Sequence, residues 1–230
     1  MDKKIAIIQS NYIPWKGYFD IINKVDEFIL YDDAQYSKGS WRNRNKIKTR
    51  NGSSWLTINI EYKFPQKIKD TKIADKNWGK KHWLTIKSTY GKAQYFNDYK
   101  DFLEKLYLNS NEKYLSEINY KFIIAINNLL NIKTNITWSS DYKFTENKKA
   151  TEKLIEFCQL AGGTEYLSGP SAKNYLDEKL FEQNNIKLLW MDYSAYPEYN
   201  QLYPPFIHEV SILDLIFNEG PNTKNFMKSF

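Results

Sequence analysis

Apolar residues near the start of the chain form two short runs separated by a helical pattern. Residues 5–8 read Ile-Ala-Ile-Ile, which is typical of a buried strand, and residues 27–31 form a second run of this kind. Between them, residues 16–25 place apolar side chains at helical spacing. Strand, helix and strand in this order predict a βαβ unit with parallel strands.

The centre of the chain has helical periodicity, and extended segments return near its end. Apolar stripes predict helices over residues 77–90, 96–108, 111–131 and 151–161. Extended patterns occur at residues 55–60, 135–138, 166–168 and 186–190. Alternating strands and helices predict one α/β domain over residues 1–230, with a parallel sheet and a helical insertion or subdomain at about residues 75–131.

Composition places the chain among ordinary globular proteins. Of 230 residues, 42% are hydrophobic and 26% are charged, which fits neither a disordered nor a membrane protein. No stretch approaches the roughly 20 apolar residues that span a bilayer, and no apolar signal segment precedes the first strand. We therefore expect a cytoplasmic protein without membrane insertion.

The net charge of +6 raises the question of nucleic-acid binding. Lysines are spread along the chain without a basic arm or a recognised motif, so we do not expect a nucleic-acid partner. A positive field also suits an anionic small substrate such as a nucleotide-linked sugar. The 7 Trp, 18 Tyr and 13 Phe residues fill cores well, and Trp and Tyr can also line a site for flat or sugar ligands.

Cysteine and histidine usage limits the chemistry. Cys158 is the only cysteine, which excludes an intramolecular disulfide, and its helical apolar surroundings predict an inert thiol. The two histidines, His82 and His208, are too few for a histidine-rich metal centre. No cofactor is predicted, although the carboxylates of Asp32 and Asp33 are of the type that binds Mg²⁺.

Two loops concentrate the polar and aromatic groups that could carry chemistry. Residues 9–18 follow the first predicted strand and residues 32–46 follow the second, so both loops leave the carboxyl edge of a parallel sheet and should face one crevice. The predicted substrate-binding residues in these loops are Gln9, Tyr12, Trp15, Gly17, Tyr18, Gln35, Trp41, Arg42, Asn43, Arg44 and Lys46. The structural alternative is that Asp32 and Asp33 cap a turn while the basic run is a solvated face.

Six segments form a combination of motifs that covers nearly the whole chain. They are residues 7–19 (IIQSNYIPWKGYF), 26–35 (DEFILYDDAQ), 42–47 (RNRNKI), 166–169 (YLSG), 199–201 (YNQ) and 211–220 (SILDLIFNEG). Together they resemble the WbqC-like family, which is associated with bacterial O-antigen and other surface-polysaccharide biosynthesis. The family pattern favours proline after the first glutamine, and this chain has Ser10 there, which implies a less rigid loop.

The resemblance implies a role in sugar modification, and transfer of glycine onto a polysaccharide sugar has been proposed for some relatives. It adds Ser168, Tyr199 and Gln201 to the predicted substrate-binding residues. A fainter similarity to nucleotidyltransferases of the HUP type implies a Rossmann-like fold. Their His-x-Gly-His motif corresponds to Trp-Lys-Gly-Tyr at residues 15–18, so both histidines are absent and nucleotidyl transfer by that route is not expected.

The first functional hypothesis is an acyl or aminoacyl transferase that acts on a free or nucleotide-linked sugar. Asp32, Asp33 or His208 would act as the catalytic base, and amides such as Gln9, Gln35 and Asn43 would stabilise the oxyanion. Arg42, Arg44 and Lys46 would hold a phosphate or carboxylate, while Tyr12, Trp15 and Trp41 would pack on the sugar or base. The alternative is a non-catalytic sugar-nucleotide-binding or scaffold protein of a polysaccharide assembly pathway.

Overall fold

Strands and helices alternate along most of the chain. The computed structural model describes residues 2–230. Its elements are β1 (Lys4–Ile8), α1 (Lys16–Asn23), β2 (Glu27–Leu30), β3 (Arg44–Thr49), β4 (Gly52–Thr57), β5 (Ile60–Glu61), β6 (Lys72–Ile73), α2 (Trp78–Tyr90), α3 (Phe96–Leu108), α4 (Leu115–Leu130), β7 (Asn135–Trp138), α5 (Ala150–Leu160), β8 (Glu165–Ser168), α6 (Glu178–Gln183), β9 (Lys187–Trp190) and α7 (Ile212–Glu219).

A parallel sheet forms the centre of the molecule. Over the described residues it has five strands in the order β7-β2-β1-β8-β9, and every neighbouring pair is parallel. Numbered by their order in the chain, these strands read 3-2-1-4-5, which is the order of a Rossmann-like sheet. The α/β class and the Rossmann-like sheet expected from the sequence are thus confirmed.

Helices cover both faces of the sheet. Ala6 of β1 packs in a hydrophobic cluster with α1, α7 and the second half of α4. Its neighbours Ile5 and Ile7 point the other way, into a cluster formed by α5 and α6. Because side chains alternate along a strand, one short apolar run supplies the core of both layers.

A second group of elements is inserted between β2 and β7. Trp78, Trp83 and Tyr107 of α2 and α3 pack with the β3–β4 hairpin in a separate hydrophobic cluster. Helix α4 belongs to both groups, because Phe122 packs in this cluster while Ile126 packs against the sheet layer. The three helices lie within the stretch predicted to be helical, and its assignment as a subdomain stays a prediction.

The structure differs from the predicted elements in the hairpin and near the end of the chain. Residues 44–46 were expected in a loop, yet they begin strand β3, and the predicted strand at residues 55–60 is divided between β4 and β5. One inward-facing position of β3 is occupied by the buried polar residue Asn45. The sequence of β3 therefore lacks the regular apolar alternation by which a strand is predicted. Helix α6 has only six residues, and α7 is buried nearly all round, so neither shows a clear one-sided apolar stripe. Within residues 2–230, no helix combines the length and apolar character needed to cross a membrane.

Candidate functional site

The carboxyl edge of the sheet opens into a crevice where the chain direction reverses. After β1 the chain passes to the α1 face, and after β8 it passes to the opposite face, so the loops diverge. Between them lies a cavity of about 500 Å³, which we call the switch-point crevice. Its lining includes Gln9, Tyr31, Ala150, Lys153, Ser168, Gly169 and Tyr175. Of the predicted binding residues, Gln9 and Ser168 line this crevice.

A buried polar group lies beside Gln9 at the ends of β1 and β2. We call it the Asp32 cluster, and it consists of Asp32, Ser10, Tyr18, Arg42 and Asn119. The backbone N–H of Ser10 donates to Asp32 Oδ1 at 2.8 Å. Asn119 Nδ2 donates to Ser10 Oγ at 3.0 Å and to the carbonyl oxygen of Arg42 at 2.9 Å.

Arg42 and Tyr18 connect this cluster to the lining of the crevice. The guanidinium of Arg42 donates to the Gln9 carbonyl oxygen at 3.2 Å, and the Tyr18 hydroxyl donates to the same oxygen at 3.1 Å. Three of the predicted site residues, Gln9, Tyr18 and Arg42, are therefore brought together around one backbone carbonyl, and Gln9 also lines the crevice.

Asp32 is the titratable group of this cluster that stands out. It is 1% exposed, and among the described residues its Oδ2 atom has no hydrogen-bond partner. Burial raises the pKa of Asp32 to about 6, although contacts with Ser10 and the charge of Arg42 act in the opposite direction. A carboxylate that titrates close to neutral pH beside a crevice is a candidate for proton transfer.

Asp33 has very different surroundings. Its carboxylate lies 2.7 Å from Lys69 Nζ and accepts a hydrogen bond from Ser139 Oγ at 2.8 Å. A longer contact of 3.5 Å joins it to Lys67. Burial raises the pKa of Asp33, but the hydrogen bonds from Lys69 and Ser139 outweigh it and hold the pKa below its usual value. These contacts tie the end of β2 to a 3₁₀ turn and to the end of β7.

His208 lies apart from both carboxylates. It is exposed, and its ring packs edge-on against Phe206 with the centroids 4.6 Å apart. In residues 2–230 it forms no hydrogen bond or ion pair with Asp32 or Asp33. The structure thus leaves His208 without the carboxylate partner that would orient a catalytic histidine.

Several predicted binding residues hold the loops in place. Tyr12 is fully buried, and its hydroxyl is 2.7 Å from His82 Nδ1, so its ring is part of the core. Asn43 is also buried; it accepts from the Tyr36 hydroxyl and donates to the carbonyl oxygen of Ile58. His82 is buried as well, and neither Tyr12 nor Asn43 lines the crevice.

Trp15 and Gly17 form one packing unit at the start of α1. A Cβ atom on Gly17 would collide with the Trp15 ring, so glycine is required for that ring position. The Trp15 ring packs edge-on against Tyr193 and Tyr196, with centroid separations of 5.1 and 5.6 Å. Gln35, in contrast, is exposed and forms a backbone bridge with Lys67.

The basic residues of the second loop lie on the hairpin. Trp41 stacks at a tilt on Trp55 with the ring centroids 5.2 Å apart, and both rings are about two-fifths exposed. The Arg44 guanidinium lies 4.1 Å from the centroid of the Trp55 ring, and Lys46 Nζ lies 5.4 Å from it. Arg44, Lys46 and Trp41 thus form a partly exposed aromatic and cationic surface, whereas Arg42 belongs to the Asp32 cluster.

Tyr199 and Gln201 anchor the long segment between β9 and α7. The Tyr199 hydroxyl donates to Asp214 Oδ2 at 2.6 Å, and Gln201 Nε2 donates to the same oxygen at 2.9 Å. Gln201 Nε2 also donates to the carbonyl oxygen of Ile207, and Gln201 Oε1 accepts from the Ile207 N–H. Their polar groups are engaged with buried Asp214, so these residues position the segment.

The structure adds residues that the sequence did not indicate. Ser10 and Asn119 complete the Asp32 cluster, and Lys153 brings a positive charge to the crevice from α5. Asn45 Nδ2 donates to the carbonyl oxygens of Tyr12 and Ile13, and Ile13 has a φ of 36°. A branched residue with positive φ is strained, and such strain is frequent at functional sites. Of these residues, only Asn45, the second asparagine of the RNRNK run at residues 42–46, could have been singled out from the sequence.

The arrangement of the acidic groups also bears on metal binding. Over residues 2–230 there is no group of three or more His, Cys, Asp or Glu side chains placed to hold a metal ion. Asp32 Oδ1 is bonded to Ser10, and Asp33 is bonded to Lys69 and Ser139. Binding of Mg²⁺ by Asp33 would require its carboxylate to exchange partners, whereas Asp32 has one oxygen without a hydrogen-bond partner among the described residues.

Fold and site together define a Rossmann-like α/β protein with a crevice at the switch point of its sheet. The model of the WbqC-like protein family matches residues 9–226, and the chain belongs to this family. The chain is also similar to the uncharacterized protein Rv1507c of Mycobacterium tuberculosis, with 46% identity over 228 residues, or 98% of each chain. No solved structure was found to match the chain.

Proposed function

We propose that this protein is a transferase that moves an acyl or aminoacyl group, such as glycyl, onto a free or nucleotide-linked sugar in bacterial O-antigen or other surface-polysaccharide biosynthesis, acting in the cytoplasm. The observation that carries the proposal is Asp32, a buried carboxylate with a raised pKa and an unpartnered oxygen beside the switch-point crevice. The biosynthetic context follows from what the family resemblance implies.

The switch-point crevice supports binding of a nucleotide-linked substrate. Its volume of about 500 Å³ is within the range of small-molecule sites. Ala150 begins helix α5 and lines the crevice, and Lys153 follows within the next turn. A helix start and a lysine at the same cavity favour negative charge, which the phosphates of a nucleotide-linked sugar would supply.

Asp32 supports the transfer chemistry. In acyl transfer, an amine or hydroxyl of the acceptor attacks the acyl carbonyl carbon, a C–N or C–O bond forms, and the nucleophile loses its proton. With a pKa of about 6, Asp32 is mostly ionised at neutral pH and can accept that proton. Arg42 would stabilise negative charge on the tetrahedral intermediate, which collapses when the bond to the donor breaks and the leaving group departs.

Transfer is tested by comparing Asp32→Asn with Asp33→Asn. Mass spectrometry would follow sugar products formed from candidate acyl and aminoacyl donors, once a donor that supports turnover in the wild type has been identified. Asp32→Asn is expected to lower turnover by roughly 10²–10⁴-fold without weakening substrate binding. Asp33→Asn should retain most of the activity of the correctly folded protein. Normal turnover with Asp32→Asn would exclude the base role.

Enclosure of the free oxygen of Asp32 favours a second candidate, a non-catalytic binding protein of the same pathway. Oδ2 is buried, so a proton reaches it only when a substrate group or a water molecule enters the cluster. Such a protein would be stabilised by a nucleotide-linked sugar in a thermal-shift assay, yet would yield no product with any donor. In both cases Lys153→Ala should weaken nucleotide binding, whereas Lys187→Ala, on the strand end away from the crevice, should not.

A further inference from the structure

A smaller cavity lies on the other side of the loop after β1. We call it the tryptophan pocket. It has a volume of about 210 Å³ and is lined by Asn11, Pro14, Trp15, Trp41, Asn45 and Glu209. These residues come from the β1–α1 loop, the start of the hairpin and the segment before α7, and none of them lines the switch-point crevice. The pocket is therefore a separate site, divided from the crevice by residues 9–18.

The walls of the pocket are fixed by backbone hydrogen bonds. The Tyr12 N–H donates to the Trp41 carbonyl oxygen at 3.0 Å, and the Ile212 N–H donates to the Pro14 carbonyl oxygen at 2.9 Å. Asn45 holds the strained turn at Ile13 through its side-chain amide. The rings of Tyr193 and Tyr196 support Trp15 from behind. A pocket built in this way is formed before any ligand arrives, which lowers the entropy lost on binding.

The pocket offers hydrogen-bond acceptors at Asn11 and Glu209. Asn11 Oδ1 is buried and, in the described part of the chain, has no hydrogen-bond partner. Glu209 contributes a carboxylate. The amide of Asn45 is already engaged, because its Nδ2 donates to two carbonyl oxygens and its Oδ1 accepts from the Lys46 N–H. The ligand must therefore bring donors for Asn11 and Glu209 and an apolar surface for the two tryptophans.

A neutral sugar ring has this combination of groups. Its C–H faces pack on the apolar face of an indole, while hydroxyls around its rim donate to acceptors. The volume is below the roughly 300–1,000 Å³ of sites for drug-sized molecules, so it suits a single ring better than a whole nucleotide. Arg44 and Lys46 lie over Trp55, which stacks on Trp41, and their charge makes an ammonium ligand unfavourable here.

We infer that the tryptophan pocket binds one uncharged pyranose ring, which packs on Trp15 and Trp41 and donates hydroxyl hydrogen bonds to Asn11 and Glu209. Its role as the acceptor subsite rests on the proposed transferase function, whereas the binding itself does not.

Saturation-transfer NMR with the methyl pyranosides of glucose, galactose and N-acetylglucosamine tests this inference in the absence of any acyl donor. At least one should bind to the wild-type protein, and tetramethylammonium should not compete. Trp41→Ala and Glu209→Ala remove exposed side chains, so the protein should still fold. Each substitution should weaken pyranoside binding at least about tenfold. Tyr175→Ala, at an exposed residue of the crevice, is the matched control and should leave binding unchanged.

The inference is overturned if none of the three pyranosides binds, if tetramethylammonium displaces a bound one, or if Trp41→Ala and Glu209→Ala bind as the wild type does. An equal loss with Tyr175→Ala would place the sugar in the crevice and would overturn it as well. Sugar binding without any transfer product would support the pocket and contradict only the proposed transferase activity. The two failures are therefore distinguishable.

Discussion

Asp32 and Asp33, two consecutive residues at the end of β2, have very different surroundings. Asp32 is enclosed by the ends of β1 and β2, with one oxygen bonded to Ser10 and the other without a partner in the described structure. Asp33 is surrounded by donors from Lys69 and Ser139. Burial raises the pKa of Asp32, whereas donors lower that of Asp33. The same side chain thus ties structural elements together at Asp33, whereas at Asp32 it keeps one oxygen without a partner, as the proposed proton transfer requires.

The largest expected effect on stability comes from Asp32→Asn. Because the pKa of Asp32 is about 6 in the folded protein and near 3.8 when unperturbed, folding disfavours its charged form. The stability of the wild type should therefore fall as pH rises from about 4 to about 6 and then stay lower. The neutral variant avoids this loss, so at pH 7.5 it should be more stable by up to about 3 kcal/mol, at 1.36 kcal/mol per pKa unit.

Chemical denaturation at pH 4, 5.5 and 7.5 measures this difference. The gain of the variant should be smallest at pH 4 and largest at pH 7.5. A variant that is less stable than the wild type at pH 7.5 would show that the ionised carboxylate stabilises the fold, as it does at Asp33.

Asp33→Ala should have the opposite effect. It removes the ion pair with Lys69 and the hydrogen bond from Ser139, so we expect a loss of about 1–3 kcal/mol at pH 7. A lowered carboxyl pKa contributes stability that is present above the unfolded value and is lost as pH falls. The loss should therefore shrink in acid, and Asp101→Ala on the exposed side of α3 is the control. Equal losses at pH 7 and pH 3 would contradict the ionic account of Asp33.

Ser10→Ala should have a smaller effect, centred on Asp32. The hydroxyl of Ser10 lowers the pKa of Asp32, so its removal should move the titration of Asp32 to higher pH. It also removes the acceptor of one Asn119 bond, while the bond from Asn119 to Arg42 remains, so the expected loss is about 1 kcal/mol. Carboxyl NMR reads the titration directly, and an unchanged or lowered midpoint would contradict the role given to Ser10.

Lys69→Met should have the smallest effect. The lysine side chain is about one-third exposed, and Asp33 keeps its contacts with Ser139 and Lys67, so a loss of about 0–1 kcal/mol is expected. The pKa of Asp33 should rise toward its usual value. A loss as large as that of Asp33→Ala would mean that the Lys69 pair alone carries the contribution of Asp33 to stability.

Much of the fold could be predicted because its hydrophobic pattern is local. The predicted helices at residues 77–90 and 96–108 agree closely with α2 (Trp78–Tyr90) and α3 (Phe96–Leu108). The paired loops at the carboxyl edge follow from parallel strands alone. Strand β3 was missed because buried Asn45 interrupts its apolar alternation, and α7 was missed because it is buried nearly all round and shows no one-sided apolar stripe.

The roles of individual residues were less predictable, because they depend on contacts distant in sequence. Nothing local distinguishes Asp32 from Asp33; the difference comes from the donors Lys69 and Ser139 around Asp33 and from the deep burial of Asp32. Tyr12 looked like a ligand-stacking residue in a loop, but its ring is enclosed by the helices of the insertion.

Titration of the aspartate carboxyl carbons by NMR tests the central claim most directly. With Asp32→Asn and Asp33→Asn used to assign the two signals, Asp32 should titrate near pH 6, and Asp33 should titrate below the ordinary value of 3.8. Titration of Asp32 at or below 3.8 would contradict the account, because an ordinary carboxylate would have no special capacity to accept a proton at neutral pH.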